Sequence, residues 1–294
     1  MNRKEFLRKS LLGAGALAAG GTVAGKTVLD NDIDELKPLD IVGFNHIPNT
    51  NSSIMANTVL HAADTRGHAN HGWLNSYHTF SFANYYNPER MHFGVLRVLN
   101  DDTVEAGRGF GTHPHDNMEI ISIPLEGDLE HKDSMGNTAV IRNGDVQVMS
   151  AGTGIYHSEY NKNASQQVKF LQIWVFPNKR NVEPRYDQIT LRKEDRHNKL
   201  QQILSPNPND VGVWIHQNAW FHLGSLDKGF KTTYTMKGGN GQGVYAFVLN
   251  GEVSVNGQKL GPRDGYGIWD TAQFDLVADT KAEILLMEVP ILIN

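Results

Sequence analysis

The chain has 294 residues and a formal net charge of −5, without the Lys/Arg excess of a nucleic-acid-binding surface. It is long enough for one large or two medium domains with an unaided hydrophobic core. The absence of cysteine excludes a disulfide framework, a thiolate metal site and a cysteine nucleophile, and the 29 glycines favour a turn-rich, strand-rich protein.

The N-terminus, "MNRKEFLRKSLLGAGALAAGGTVAG", places a basic head before a mild apolar stretch, which is the layout of an export signal. Arg3 and the residues around it resemble a twin-arginine motif, with Lys4 where the second arginine would stand. The Gly/Ala-rich stretch is too weakly apolar for a stable membrane span. Residues 1–25 are therefore expected to be a leader and residues 26–53 a polar linker. The protein would then be exported, to the periplasm, with a cytoplasmic location as the alternative.

From residue 54 the text becomes β-like. "HTFSFANYY" and "FGVLRVLNDD" gather β-branched and aromatic residues and stop at Asn/Asp. "MEIISIPLEGDLEHKD" reads as a strand ended by Glu126-Gly127. "TAVIRNGDVQVMSAGTGIYHSEYN" reads as strand, Asn143-Gly144 turn, strand, glycine-rich loop, strand. "VKFLQIWVFPN" is a near-continuous apolar run ending at Pro177. "VEPRY", residues 182–186, breaks the pattern and is read as a linker. The C-terminal third, with Asn-Gly turns at 250–251 and 256–257, repeats the theme: "YAFVLNGEVSV" parallels "IISIPLEGDL", and "LGPRDGYGIWD" parallels "IRNGDVQVMSAG". Recurrent short strands with a weak internal repeat predict an all-β protein of two tandem jelly-roll barrels, spanning residues 54–180 and 181–294.

One stretch carries chemistry. In "GTHPHDNMEI", His113 and His115 flank Pro114 at i and i+2, positions that share one face of a strand. His157 and Glu159 repeat the spacing. Each pair alone suits a hydrogen-bonded turn as well as a metal site. If both segments face one barrel interior, three imidazoles and a carboxylate converge. That donor set suits iron, or Mn, Ni, Co, Cu or Zn, and leaves coordination positions free. His61, His68, His71 and His78 are read as turn-capping or surface residues. Trp73, Phe80, Phe82 and Phe110 are read as core residues, with an aromatic pocket as the alternative. The cluster of His216, His222, Trp214, Trp220 and Phe221 is read as inter-domain packing. Arg108 is read as a rim residue that could steer an anionic substrate. No histidine follows His222, so the second barrel cannot repeat the site.

These residues also carry a resemblance. Gly107, His113, His115, Glu119 and Gly127 resemble the first cupin motif, and Gly144, Gly152, His157 and Asn161 the second. "RGHANHGWL", "HTFSFANYY", "FGVLRVLNDD", "THPH" and "MSAGTGIYHSEYN" are similar to the pirin family of bicupins. The resemblance implies one metal, usually Fe(2+), held in the first barrel by His113, His115, His157 and Glu159, with Glu119, at the ligand position of other cupins, as a buried polar residue outside the ligand set. It also implies a quercetin 2,3-dioxygenase-type reaction, in which a flavonol-like aromatic substrate and O2 meet at the metal with Glu159 as the base. An iron-dependent redox-sensing regulatory protein that binds partners, without turnover, is the alternative. A monomer with no nucleic-acid partner is expected.

The leader reading has a direct test. Replacing Arg3 and Lys4 by Gln should leave the protein inside the cell. Unchanged location in a fractionation assay would refute it.

Overall fold

The computed structural model describes residues 56–292. The leader and linker expected over residues 1–53 lie outside the described residues. Among the described residues strands dominate, the helical segments are short 3-10 turns, and no helix is long and apolar enough to cross a membrane.

Four sheets form two jelly-roll barrels, each a seven-stranded sheet facing a four-stranded one. In the first barrel the large sheet runs Arg185–Thr190, Asp145–Ser150, Glu119–Glu126, Val168–Val175, Leu96–Val104, Leu74–His78, Gly67–Asn70. The small sheet runs Gly109–His115, Ile155–Asn161, Leu129–Asp133, Thr138–Ile141. The second barrel repeats the order: Lys231–Thr235, Gln273–Ala278, Val253–Val255, Gln258–Leu260 form its small sheet. The internal repeat read from the sequence thus corresponds to strands in equivalent places.

The barrels exchange an outer strand. Asn57–His61 pairs antiparallel with Gly265–Trp269 of the second barrel. Arg185–Thr190 pairs with Asp145–Ser150 of the first. The expected boundary near residue 180 therefore does not separate the sheets, and "VEPRY" is partly strand rather than linker. The physical reason is that a sheet edge is closed by whichever strand reaches it, wherever that strand sits in the sequence.

The central strands of both large sheets are buried on both faces. In Val168–Val175, Leu171, Ile173 and Val175 enter a core shared by the two barrels, while Val168 and Phe170 face the first barrel's interior. In Gln242–Asn250, Tyr245, Phe247 and Leu249 enter the shared core, while Val244, Ala246 and Val248 fill the second barrel. Period-2 alternation with apolar residues at both phases produces the near-continuous runs seen in the sequence. The same alternation splits a cluster that the sequence reading had placed together. Phe221 lies in the shared core, but His222 turns into the second barrel beside Tyr234, with ring centroids 5.2 Å apart.

The Asn-Gly turns also separate. Asn256 and Gly257 both have positive φ and close the two-residue hairpin between Val255 and Gln258. At 143–144 and 250–251 only the glycine is left-handed, because there the chain passes from one sheet to the other instead of closing a hairpin.

His61, on the exchanged strand, is buried and its Nδ1 lies 2.8 Å from the Tyr245 hydroxyl. Burial, helped by Arg90, lowers its pKa to about 4; burial, helped by Lys237, does the same for His222. Both rings are neutral in the fold but protonate near 6.5 when unfolded. Their contribution is complete above pH 6.5 and is lost as pH falls toward 4, by up to about 1.4 kcal/mol per pH unit for each ring. Denaturation of the metal-free protein across this range should show the slope. His61→Asn, which keeps a polar atom near Nδ1 but cannot titrate, should flatten it by one proton's worth.

Candidate metal centre

The first barrel's small sheet builds the site. His113 and His115 lie on Gly109–His115, an edge strand, where the missing N–H of Pro114 leaves no ladder bond broken. Register sets His157 opposite His113, and Ile155 opposite His115. Along Ile155–Asn161, Ile155, His157, Glu159 and Asn161 are buried while Tyr156 and Tyr160 are exposed, so both expected ligand residues of this strand face inward.

The three histidines meet. Their ring centroids are 4.4 Å (113–157), 4.8 Å (115–157) and 4.9 Å (113–115) apart, and one nitrogen from each lies within 4.8 Å of the others. The His113 Nδ1–H donates to the Gly111 carbonyl at 2.8 Å, leaving Nε2 as the lone-pair nitrogen. Buried His115 Nδ1 and His157 Nε2 have no hydrogen-bond partner. An orphaned buried polar atom is costly, and two on converging rings fit a shared electrophile. Burial holds the His115 and His157 pKa values well below the usual imidazole value, so both rings are free bases at neutral pH.

Glu159 stands one step away. Its oxygens come within sharing distance of His157 and of His131, a separate trio from that of His113 and His115. A β-bulge lies between His157 and Glu159. The carboxylate accepts from Ser122 Oγ at 3.0 Å and Gln172 Nε2 at 2.7 Å, both on the large sheet. Burial pushes its pKa up to about 7 against the opposing pull of those two donors. Glu119 is elsewhere: it accepts from Ser150 at 2.6 Å and faces Arg185 and His216 at the junction of the barrels.

His131, in "LEHKD", was not singled out by the sequence reading. It is fully buried and its ring lies 5.3 Å from that of His157. The available signal was Asp133 at i+2, on the same face.

A cavity of about 290 Å³ opens over the centre, lined by His113, His115 and Glu159 and walled by Phe82, Tyr85, Phe110 and Trp174. Trp174 makes edge contacts with His115 and Phe82 at 4.9 and 5.4 Å. One wall is polar: Ser76 donates to Asp102, and His78 Nδ1 lies 3.0 Å from Asn100 Oδ1. Burial raises the Asp102 pKa to about 7. Of the upstream histidines, His78 is thus buried in the pocket wall, and His68 and His71 line it rather than merely capping turns. Phe82 and Phe110 line the pocket, whereas Phe80 belongs to the shared core. A larger cleft of about 970 Å³ lies between the barrels, but none of the clustered histidines borders it. The smaller cavity is the one that meets the chemistry.

Two tandem jelly-roll barrels, the first with an inward imidazole cluster beneath an aromatic cavity, define a bicupin with a candidate metal centre in its first barrel. Residues 59–175 match the Pirin family and residues 202–289 the quercetinase C-terminal cupin domain. The chain belongs to the pirin family. It is 45% identical to a quercetin 2,3-dioxygenase of Escherichia coli K12 over 79% of this chain and 98% of that protein. The crystal structure of YhhW from Escherichia coli superposes with a TM-score of 0.76 at 44% identity, covering 80% of this chain and 98% of that one. A second structure, of bacterial pirin YhhW in complex with nickel(II), gives 0.75 at 43% identity, covering 80% and 99%.

The donors to Glu159 are separable. In metal-free protein, Ser122→Ala or Gln172→Leu should push the Glu159 carboxyl further above 7. An infrared titration of its C=O stretch measures this.

Proposed function

We propose that this pirin is an iron-dependent dioxygenase of the quercetin 2,3-dioxygenase type, with His113, His115, His157 and Glu159 holding Fe(2+). The observation that carries the reading is the convergence of three neutral imidazoles, two with orphaned nitrogens, on an aromatic-walled cavity. The similarity to a named quercetin 2,3-dioxygenase supports it, and so does the nickel(II) complex of a related pirin, since iron and nickel share this donor preference.

When bound, the ion supplies Lewis acidity and the electron exchange with O2 that a closed-shell flavonol lacks. The chain supplies the rest. Phe82, Phe110 and Trp174 offer flat apolar walls for a planar aromatic. Ser76, His78, Asn100 and Asp102 form the polar side that a hydroxylated ring requires. Glu159, lining the cavity and held by Ser122 and Gln172, takes the 3-hydroxyl proton. The reaction opens the flavonol ring with both oxygen atoms incorporated and carbon monoxide released. The basic leader supports an exported enzyme, acting outside the cytoplasm.

The deciding experiment is O2 uptake with quercetin by protein of known metal content. Iron-dependent uptake with CO release is expected, and His113→Ala should lower it by more than the about 100-fold that outer residues cost. Metal-loaded protein without uptake would instead favour a redox-sensing partner-binding pirin.

Metal affinity should also depend on pH. Glu159 must lose its proton to coordinate, whereas His115 and His157 are already neutral. Nickel(II) affinity by calorimetry should rise as pH passes through about 7, by up to about tenfold per unit below it. Glu159→Gln should bind more weakly and lose that dependence.

A further inference from the structure

Behind His157, on the side away from His113 and His115, stands a second buried pair that the proposed reaction does not use. Asp133 and His131 share the inward face of Leu129–Asp133, and register sets Asp133 opposite His157 and His131 opposite Glu159. Their side chains are 0% and 1% exposed. His131 Nε2 lies 3.1 Å from Asp133 Oδ2, and His131 Nδ1 lies 3.5 Å from His157 Nδ1. Tyr186, from the exchanged strand, covers the His131 ring at 4.8 Å.

Proton positions along this row are constrained. Asp133 accepts from the Met135 and Asn137 backbone N–H groups at 2.9 and 3.0 Å and from Asn137 Nδ2 at 2.8 Å. A carboxylate committed to three donors has no proton to give, so the proton on the His131 contact belongs to His131 Nε2. A neutral His131 then presents a lone pair at Nδ1, which accepts from His157 Nδ1–H. That leaves the His157 lone pair on Nε2, the nitrogen found buried without a partner.

We propose that Asp133 and His131 form a relay that fixes His157 in its Nδ1–H tautomer and so presents Nε2 to the metal. Both are positioning residues. The relay rests on the metal reading for its purpose but not for its geometry. A ring held by an outer partner is already oriented for coordination, and loss of such a partner commonly weakens metal binding by about 10–100-fold.

Long-range ¹H–¹⁵N correlation spectra of the metal-free protein report the tautomer without any activity. His157 should carry its proton on Nδ1, and Asp133→Asn or His131→Leu should give a mixture. Nickel(II) affinity should fall about 10–100-fold in His131→Leu. His131→Asn, whose Oδ1 falls near the place of Nδ1, should recover most of it. A wild-type His157 protonated on Nε2 would overturn the proposal, a result that does not depend on any variant folding. So would an unchanged affinity in His131→Leu, or the loss of one imidazole ligand in its X-ray absorption spectrum, which would make His131 itself a ligand. If the wild-type tautomer is as stated but no divalent metal binds, the metal reading fails while the relay stands.

Discussion

The molecule depends on large sheets that are buried on both faces. In Glu119–Glu126, Ile121 and Ile123 belong to the core shared between the barrels, while Ile120 packs inside the first barrel and Ser122 reaches Glu159 there. A slip of one residue would send Ser122 and Gln172 into the shared apolar core and strand their polar atoms. Register is therefore pinned from both sides. The exchanged outer strands add to this, since neither barrel completes its large sheet from its own continuous half of the chain.

That rigidity lets the first barrel hold groups that would otherwise not persist. Four histidines and a carboxylate meet in its interior, and burial keeps the imidazoles neutral and raises the carboxyl. An interior of this kind tolerates polar groups only as satisfied networks or as the walls of a binding site. Ser122 and Gln172 satisfy Glu159 from the large sheet, and Asp133 satisfies His131 from two residues along the same strand. His115 Nδ1 and His157 Nε2, on two of the three rings that meet, are among the buried nitrogens left without a partner.

The second barrel shows what the same topology does without that investment. Its equivalent strands carry Tyr234, Phe274 and Leu276 into a packed apolar core. One buried acid, Glu288, is closed off by Tyr234 and by the backbone N–H groups of Lys237 and Gly238. Among the described residues, both groups of side chains able to share an ion lie in the first barrel. The second barrel instead contributes half of the shared core and receives the first barrel's leading strand.

Much of this was legible in order along the chain. Strand recurrence and Gly-bearing turns indicated an all-β pair of barrels. The i, i+2 spacing of His113/His115 and of His157/Glu159 indicated one shared face, because side-chain direction in a strand is a local property of the backbone. What the sequence could not determine was anything set by contacts between distant segments. The strand exchange, the burial of His131, and the tether of Glu159 to Ser122 and Gln172 all follow from which strands become neighbours. That choice is made by pairing and packing of the whole sheet, and no single stretch of residues encodes it alone.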